Sequence, residues 1–223
     1  MSDVLYAWPP AAAFGRVVPK AKLYEHARVS ARLRQKFVDE VQRVTWAFKL
    51  ADETIHLAGD TAVPEIQVFV VKAKEADVSD EVLTAIDKSV RTPIVFEIER
   101  GEDERRQVRM TAAHKQPGTS SPRLSERFST GWLPHGAGRA PLPPALDLPG
   151  LYAQLLTPLL PFPPRPGETV AGAAARAAQA GKLKREVAQL ERKLRNEPQL
   201  NRKVELRQQL RQLNTALAAL TAP

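Results

Sequence analysis

Residues 65–99 read EIQVFVVKAKEADVSDEVLTAIDKSVRTPIVFEIE, and the hydrophobic pattern changes period twice within this stretch. Residues 65–74 are apolar on both faces of an extended chain, which is typical of a strand at the centre of a sheet. Helical spacing of apolar residues begins after Ser79, a candidate N-cap, and residues 93–99 return to a strand pattern. This order predicts a β-α-β unit whose two strands are parallel, with a right-handed crossover.

The flanking segments extend this unit into a small mixed sheet. Residues 30–44 carry a helical stripe, and residues 45–50, TWAFKL, alternate as a strand, although the helix could instead continue to Phe48. After a polar turn, residues 105–115 alternate again as an antiparallel strand. We therefore predict an α+β fold for residues 1–115, in which helices pack on a small mixed β-sheet.

Residues 116–168 have a different composition, rich in proline, glycine and serine. Such a stretch cannot sustain regular structure for long, so we predict a linker. Within it, residues 151–160 predict one short apolar helix whose stripe, formed by Tyr152 and three leucines, requires burial. The linker would separate the sheet domain from the rest of the chain.

The carboxy-terminal segment, residues 169–223, predicts two helices. Apolar residues recur at spacings of four and three on both sides of Pro198, which interrupts helix hydrogen bonding. Two such helices joined by a short break favour an antiparallel, coiled-coil-like hairpin. A first helix over residues 170–196 would extend about 40 Å at 1.5 Å per residue. The seam residues are Leu183, Val187, Leu190, Leu194, Leu206, Leu210, Leu213, Leu217 and Leu220.

The net charge of +8 is unevenly distributed along the chain. Residues 1–115 hold 18 basic and 18 acidic side chains, residues 116–169 hold 4 and 3, and residues 170–223 hold 11 and 4. A localised positive field indicates a polyanionic partner, DNA or RNA, at the hairpin. The candidate binding residues are Lys182, Lys184, Arg185, Arg192, Lys193, Arg195, Arg202, Lys203, Arg207 and Arg211.

A basic helical face has a second interpretation, as the solvated outside of a coiled coil. The hairpin would then be a protein–protein interaction or oligomerisation module without nucleic-acid binding. Its seam would join two copies in a homodimer, or pack against the helices of a partner protein. The sequence leaves open whether the seam lies within one chain or between chains.

One group of residues suggests catalysis, because Asp87, Lys88, Glu97 and Glu99 combine acidic side chains with a strand. Such residues can hold a magnesium ion that activates water. The strand lacks the lysine that this kind of nuclease site needs, and we expect both glutamates on the solvent face of the sheet. A cryptic nuclease is therefore the third hypothesis, and the leading one is non-catalytic.

Metal, cofactor and membrane sites are not indicated by the sequence. There is no cysteine, the four histidines lack zinc-ligand spacing, and we expect no cofactor. We expect Trp46 and Phe48 to pack in the core and not to stack on bases, and His114 and Lys115 to decorate the rim of the sheet. Without a visible secretory signal or membrane-spanning stretch, the expectation is a soluble cytoplasmic protein.

Several of these segments also resemble a bacterial protein family, domain of unknown function 4391. The similarity covers most of the chain outside residues 117–148. In that stretch, the linker is longer and richer in proline than the family pattern leads us to expect. It is most distinctive at IDK…PIVFE and at QLNRKVEL. The similar segments are VPKAKLYEHARV, VTWAFKLADETIHL, EIQVFVVKAK, VLTAIDKSVRTPIVFEIE, AAHK and NEPQLNRKVELRQQLRQLNTAL.

This resemblance implies a protein encoded beside helicases and DNA methyltransferases, in gene clusters that look like restriction or antiphage defence. It implies no reaction and no catalytic residue. Taken with the charge distribution, it suggests a non-catalytic accessory subunit of a nucleic-acid-acting bacterial defence or restriction-type system. A helicase or methyltransferase would be its partner protein, and the basic hairpin would hold the nucleic acid.

Overall fold

The computed structural model describes residues 3–27, 29–116, 118 and 122–222, except for the side chains of residues 26 and 27. The chain divides into two compact units between Leu159 and Leu160. The amino-terminal unit contains a sheet with helices, and the carboxy-terminal unit contains two long helices. The predicted α+β class, with a mixed sheet followed by a helical pair, is confirmed.

The strands of the sheet are β1 Ala13–Val17, β2 Val41–Leu50, β3 Ile66–Ala73, β4 Ile94–Arg100, β5 Gln107–Gln116, β6 Arg123–Ser129 and β7 Leu133–Pro134. Their spatial order is β1-β2-β3-β4-β5-β6, and β7 pairs with β5. β3 and β4 are parallel, whereas the other pairings are antiparallel. The predicted central position of β3 and its parallel pairing with β4 are therefore confirmed.

The described residues contain seven α-helices: α1 Lys20–Ala27, α2 Ala31–Glu40, α3 Asp52–Ile55, α4 Asp80–Ser89, α5 Leu148–Leu156, α6 Val170–Asn196 and α7 Leu200–Thr221. α4 makes the crossover from β3 to β4, as predicted. Ser30 caps α2, because its Oγ accepts a hydrogen bond from the Leu33 amide at 3.3 Å. α2 ends at Glu40, so the strand expected at TWAFKL is confirmed and begins earlier, at Val41.

The two faces of the sheet are covered in different ways. One face carries Phe69, Phe96 and Ile98, which form a buried core with Phe37 of α2 and Ile86 of α4. The other face is covered by the amino-terminal segment and by residues that follow β6, as the contacts of β4 described below show. Both faces of the central strands are therefore buried.

The structure differs from the sequence prediction over residues 116–168. β6 pairs with β5 at the edge of the sheet, and the Ala140 amide donates to the Leu5 carbonyl at 2.9 Å. α5 begins at Leu148, after an Asp147 N-cap, and most of this stretch belongs to the amino-terminal unit. The strand was missed because RLSERFS is an edge strand with only two apolar residues, which leaves little alternation to detect.

The carboxy-terminal unit is the predicted helical hairpin. α6 and α7 are joined by residues 197–199, which include Pro198, and the helices pack against each other. The Arg176 side chain, near the start of α6, donates to the Leu220 carbonyl near the end of α7, so the two helices are antiparallel. Across the described residues, no helix is both long and apolar enough to cross a membrane.

Candidate nucleic-acid interface

The base of the hairpin is held by two arginines. Arg176 donates to both carboxylate oxygens of Glu168, at 2.9 and 2.6 Å, and to the Leu220 carbonyl at 2.9 Å. Arg165 donates from Nη2 to the Ala219 carbonyl at 2.6 Å. These bonds satisfy carbonyls at the end of α7 that have no partner within the helix. The hydrogen bonds from Arg176 and from the Arg165 amide lower the pKa of Glu168 to about 2.

The apolar seam lies within one chain, because the leucines and the valine predicted to form it lie on α6 and α7, which pack on each other. Of the nine seam residues, Leu210 is buried and the other eight are half-buried. A pair of helices cannot surround its own seam, so partial exposure is expected for an isolated hairpin. The seam therefore accounts for the hairpin without a second copy, while leaving apolar surface at its edges.

The ten predicted binding residues lie on the part of the hairpin nearest the connection between its helices. We call residues 182–211 the distal half; it holds ten basic and four acidic side chains. Residues 170–181 and 212–222 add only Arg176. Nine of the ten side chains are exposed and Lys203 is half-buried. The structure thus places all ten residues together in one region that solvent and a polyanion can reach.

Part of this charge is placed where it opposes helix stability. Lys203, Arg207 and Arg211 are spaced four residues apart along one edge of α7, where like charges repel. Arg202 and Lys203 also lie in the first turn of α7, at the positive end of the helix dipole. Glu197 offsets this in part, since its Oε2 is 3.6 Å from Arg202 Nε. By contrast, Lys193 and Arg195 are favourably placed in the last turn of α6.

A groove with both polar and apolar walls runs between the helices on one side of the distal half. Its volume is about 1090 Å³, and its lining includes Lys193, Arg202, Gln189 and Gln209 together with the carboxylate of Glu205. The amide side chains add hydrogen-bond donors that reasoning from charge alone did not identify. Their signal in the sequence is the repeated Gln and Asn between the seam leucines.

The carboxylates of the nuclease hypothesis do not converge. Phe96 and Ile98 face the helices, so Glu97 and Glu99 lie on the opposite face of β4. Asp87 lies on α4, which packs on the first face. The fourth residue of the group, Lys88, is exposed on α4. The arrangement of these residues therefore gives no geometric support to the nuclease hypothesis.

Glu97 and Glu99 are also not on a solvent face, so that prediction is wrong. They are 3% and 8% exposed. Arg139 binds Glu97 through two hydrogen bonds of 2.6 and 2.9 Å, and Trp8 Nε1 donates to the same carboxylate at 2.6 Å. Arg106 donates to Glu99 at 2.8 Å. The residues that follow β6 cover this face and bring a positive partner to Glu97.

Lys115 does not decorate the rim of the sheet, so this prediction is wrong as well. It is 3% exposed, and its Nζ donates to the carbonyls of Asp87, Val90 and Thr92 at 2.8, 3.0 and 2.8 Å. The ammonium thus caps the end of α4, and it lies 3.1 Å from Asp87 Oδ1. Burial lowers the pKa of Lys115, while Asp87 opposes that shift. Arg127 donates to the second Asp87 oxygen at 2.7 Å.

His114 is half-buried and packs against α5. Its ring stacks on Tyr152 with 5.9 Å between centroids. The Tyr152 hydroxyl donates to the Ala113 carbonyl at 2.9 Å and accepts from the Lys115 amide at 3.0 Å. Burial raises the pKa of Tyr152 and lowers the pKa of His114. These contacts join α5 to β5.

Trp46 and Phe48 pack against other rings, in agreement with the prediction. The Trp46 ring lies 4.2 Å from that of Phe14, and the Phe48 ring lies 6.2 Å from that of Trp8. No cluster of three or more histidine, aspartate or glutamate side chains that could hold a metal ion occurs within the described ranges. The basic distal half of the hairpin is thus the strongest candidate site that the structure presents.

The chain was compared with known protein families, curated proteins and solved structures. A family model described as a domain of unknown function, DUF4391, matches residues 7–217. This range includes both units and nearly the whole hairpin. No curated protein and no solved structure matches the chain.

Proposed function

The chain belongs to the DUF4391 family, and from this premise we propose that it is a non-catalytic accessory subunit that binds nucleic acid through the distal half of its hairpin. One observation carries the proposal: nine of the ten basic side chains in that region are exposed. Only four acidic side chains share the region, so they cannot neutralise it. Regularly spaced phosphates are the natural counter-charge for such a surface.

The placement of the charges supports a binding role over a purely solubilising one. Each like-charged pair at a spacing of four costs a helix about 0.2–0.5 kcal/mol. A cation at the start of a helix costs about 0.3–1 kcal/mol more. Lys203, Arg207 and Arg211 bear the first cost, and Lys203 also bears the second. Among the described residues, none of the three has an ion pair that would explain it as a fold stabiliser. Residues that lower local stability are expected at functional sites.

The proposed setting is a bacterial defence or restriction-type system. The resemblance of the chain to its family implies genes for helicases and DNA methyltransferases nearby. In this proposal, the sheet unit docks such a partner protein and the hairpin holds DNA or RNA. Co-purification of the chain with its neighbouring helicase or methyltransferase, in the absence of nucleic acid, is the expected outcome.

The test of nucleic-acid binding is charge reversal of Arg185, Arg192, Arg195 and Arg211 to Glu. Binding of a labelled duplex is measured by fluorescence anisotropy at several salt concentrations. Wild-type affinity should fall steeply with salt, by about 0.9 in log–log slope for each phosphate contacted. The variant should lose binding while its helicity, measured by circular dichroism, stays unchanged.

A matched control reverses four exposed basic residues of the amino-terminal unit, Lys22, Lys74, Arg91 and Arg105. The change in net charge is the same, so a non-specific effect of total charge would weaken binding equally in both variants. We expect the control to bind as the wild type does. No binding of wild-type protein at low salt, or equal loss in both variants, would refute the proposal.

A second candidate function, a protein-interaction module, is favoured by the apolar edges of the hairpin. Leu200 and Val204 are 72% and 53% exposed on one face of α7. They do not form part of the seam, so changing both to Asp should leave the hairpin folded. If this face joins two copies, light scattering should show an assembly for the wild type and a monomer for the variant. A wild-type monomer would exclude the homodimer form of this function.

A further inference from the structure

The aromatic side chains of this protein are all covered. The chain has seven Phe, three Trp and three Tyr, and all of them lie among the described residues. Seven are buried, six are half-buried, and none is exposed. Single-stranded nucleic acids are usually bound by stacking their bases on such rings, which requires an open ring face.

The half-buried rings already have partners on their faces. Trp132 is covered by the Arg100 guanidinium, 3.9 Å from its ring centroid, and Phe162 by that of Arg176 at 4.5 Å. Trp46 lies against Phe14, as described above. A base would have to displace these contacts before it could stack.

The basic hairpin itself contains no ring at all. Residues 163–223 include no Phe, Tyr, Trp or His. The side chains that the distal half offers to a ligand are Lys, Arg, Gln and Asn, together with four glutamates. Such a surface recognises phosphates and donates hydrogen bonds, and it offers no aromatic ring on which unstacked bases could stack.

We propose, on the basis of the function proposed above, that the hairpin binds the phosphate backbone of a double-stranded nucleic acid and discriminates against single strands. A duplex presents one charge per about 1.7 Å of axis, whereas a single strand has a lower charge density. A binding surface that relies on charge alone therefore gains more counterion release from a duplex. Single strands usually recover this difference by stacking their bases on aromatic rings, and no exposed ring is available here.

The test compares the full-length wild-type chain with three probes of one mixed sequence. These are a labelled 20-base-pair DNA duplex, each of its separated strands, and the RNA duplex of the same sequence. We expect at least one duplex to bind about tenfold or more tightly than either strand at the same salt concentration. The RNA and DNA duplexes show which backbone geometry the hairpin prefers.

Tryptophan fluorescence gives an independent measurement of stacking. Trp8, Trp46 and Trp132 are packed against other side chains within the amino-terminal unit, so we expect no quenching by base stacking when a probe binds. Strong quenching by a single strand would show that a ring is available to bases.

The outcomes separate this inference from the function on which it rests. If single strands bind as tightly as the duplexes and the four-residue charge reversal abolishes that binding, duplex selectivity is refuted while the hairpin remains the binding site. If no probe binds, the proposed function itself fails. Tight duplex binding that the reversal removes supports both.

Discussion

The two units of this protein use charged side chains in opposite ways. In the sheet unit, Glu97, Asp87 and Lys115 are buried, and each is held by a specific partner of opposite charge. In the distal half of the hairpin, ten basic side chains outnumber four acidic ones, and nine of the ten are exposed along the helix faces. The ion pairs of the first unit join distant segments of the chain. In the second unit, the basic side chains outnumber the acidic ones that could pair with them.

This difference shows how to separate structural charge from functional charge. A buried ion pair is costly to break, because removing one partner leaves the other without solvent or counter-charge. An exposed cation contributes little to stability, typically less than about 1 kcal/mol. Mutations in the two units should therefore affect different measurements: unfolding for the sheet unit and binding for the hairpin.

Truncation should have the largest effect. A fragment of residues 1–115 lacks β6, Arg139 and Tyr152, which complete the sheet edge, neutralise Glu97 and anchor Lys115. We expect it to be unfolded by circular dichroism, whereas residues 1–159 should unfold cooperatively. A cooperative transition for the shorter fragment would show that residues 116–159 are not needed for a complete, folded domain.

Replacing Lys115 by Met should destabilise the sheet unit by about 3 kcal/mol. The substitution leaves three carbonyls at the end of α4 without their donor and removes one of the two cations beside Asp87. Urea unfolding followed by tryptophan emission measures the change. The control is Lys88→Met on the same helix, an exposed position where we expect a change within about 0.5 kcal/mol. Equal effects at both positions would contradict the structural role of Lys115.

Acid should loosen the base of the hairpin. The pKa of Glu168 lies near 2 in the folded protein and is ordinarily 4.5, so its stabilising effect is present above pH 4.5 and is lost as the pH falls towards 2. We expect the melting temperature of the hairpin to decrease over this range. Glu168→Gln should lower the melting temperature at pH 7 and weaken the acid dependence.

The exposed carboxylate of Glu191 provides the comparison for this experiment. Glu191→Gln removes the same charge from the same unit but does not touch the contacts of Arg176. It should therefore retain the wild-type acid dependence. If both variants respond identically to pH, the hydrogen bonds to Glu168 do not stabilise the hairpin.

The smallest expected effect is that of Lys203→Glu, which should raise the stability of the hairpin and lower its affinity for a duplex. Lys203→Glu replaces a cation in the first turn of α7 and removes its repulsion with Arg207. We expect a gain of about 0.5 kcal/mol in stability. Duplex binding should weaken, and the salt dependence should become shallower by about 0.9 or more in log–log slope. A variant that is more stable and also binds more tightly would contradict the division between structural and functional charge.

Local patterns in the sequence were sufficient for most of the fold. The β-α-β unit and both hairpin helices were predicted because apolar spacing over 7 to 20 residues reflects burial on one face or on both. Pro198 marked the turn of the hairpin because proline interrupts helix hydrogen bonding. The basic residues of the candidate site could also be chosen from the sequence, since charge counts along the chain do not depend on tertiary structure.

Other features depend on contacts between distant residues and could not be predicted in this way. Glu97 looks like a solvent-facing residue until Arg139, 42 residues later, is placed beside it. β6 has too few apolar residues to be recognised, because only Phe128 among its seven residues is buried at this edge of the sheet. The burial of Lys115 is stabilised by hydrogen bonds from its Nζ to carbonyls at the end of α4. These carbonyls come close to Lys115 only in the folded chain, so the sequence pattern does not reveal them.

The contacts of Arg176 and Arg165 at the base of the hairpin, here called the clamp, should also resist mechanical force. α6 has 27 residues and is about 40 Å long, with six of its seven cations in the distal half of the hairpin and the Glu168–Arg176 contacts near its start. A sideways load on the distal half therefore acts through a long lever arm and becomes a torque at the clamp. Hydrogen bonds from Arg176 and Arg165 to the carbonyls of α7 resist that torque, since they tie the end of one helix to the start of the other. In a pulling experiment on the hairpin, these contacts should break before the leucine seam separates.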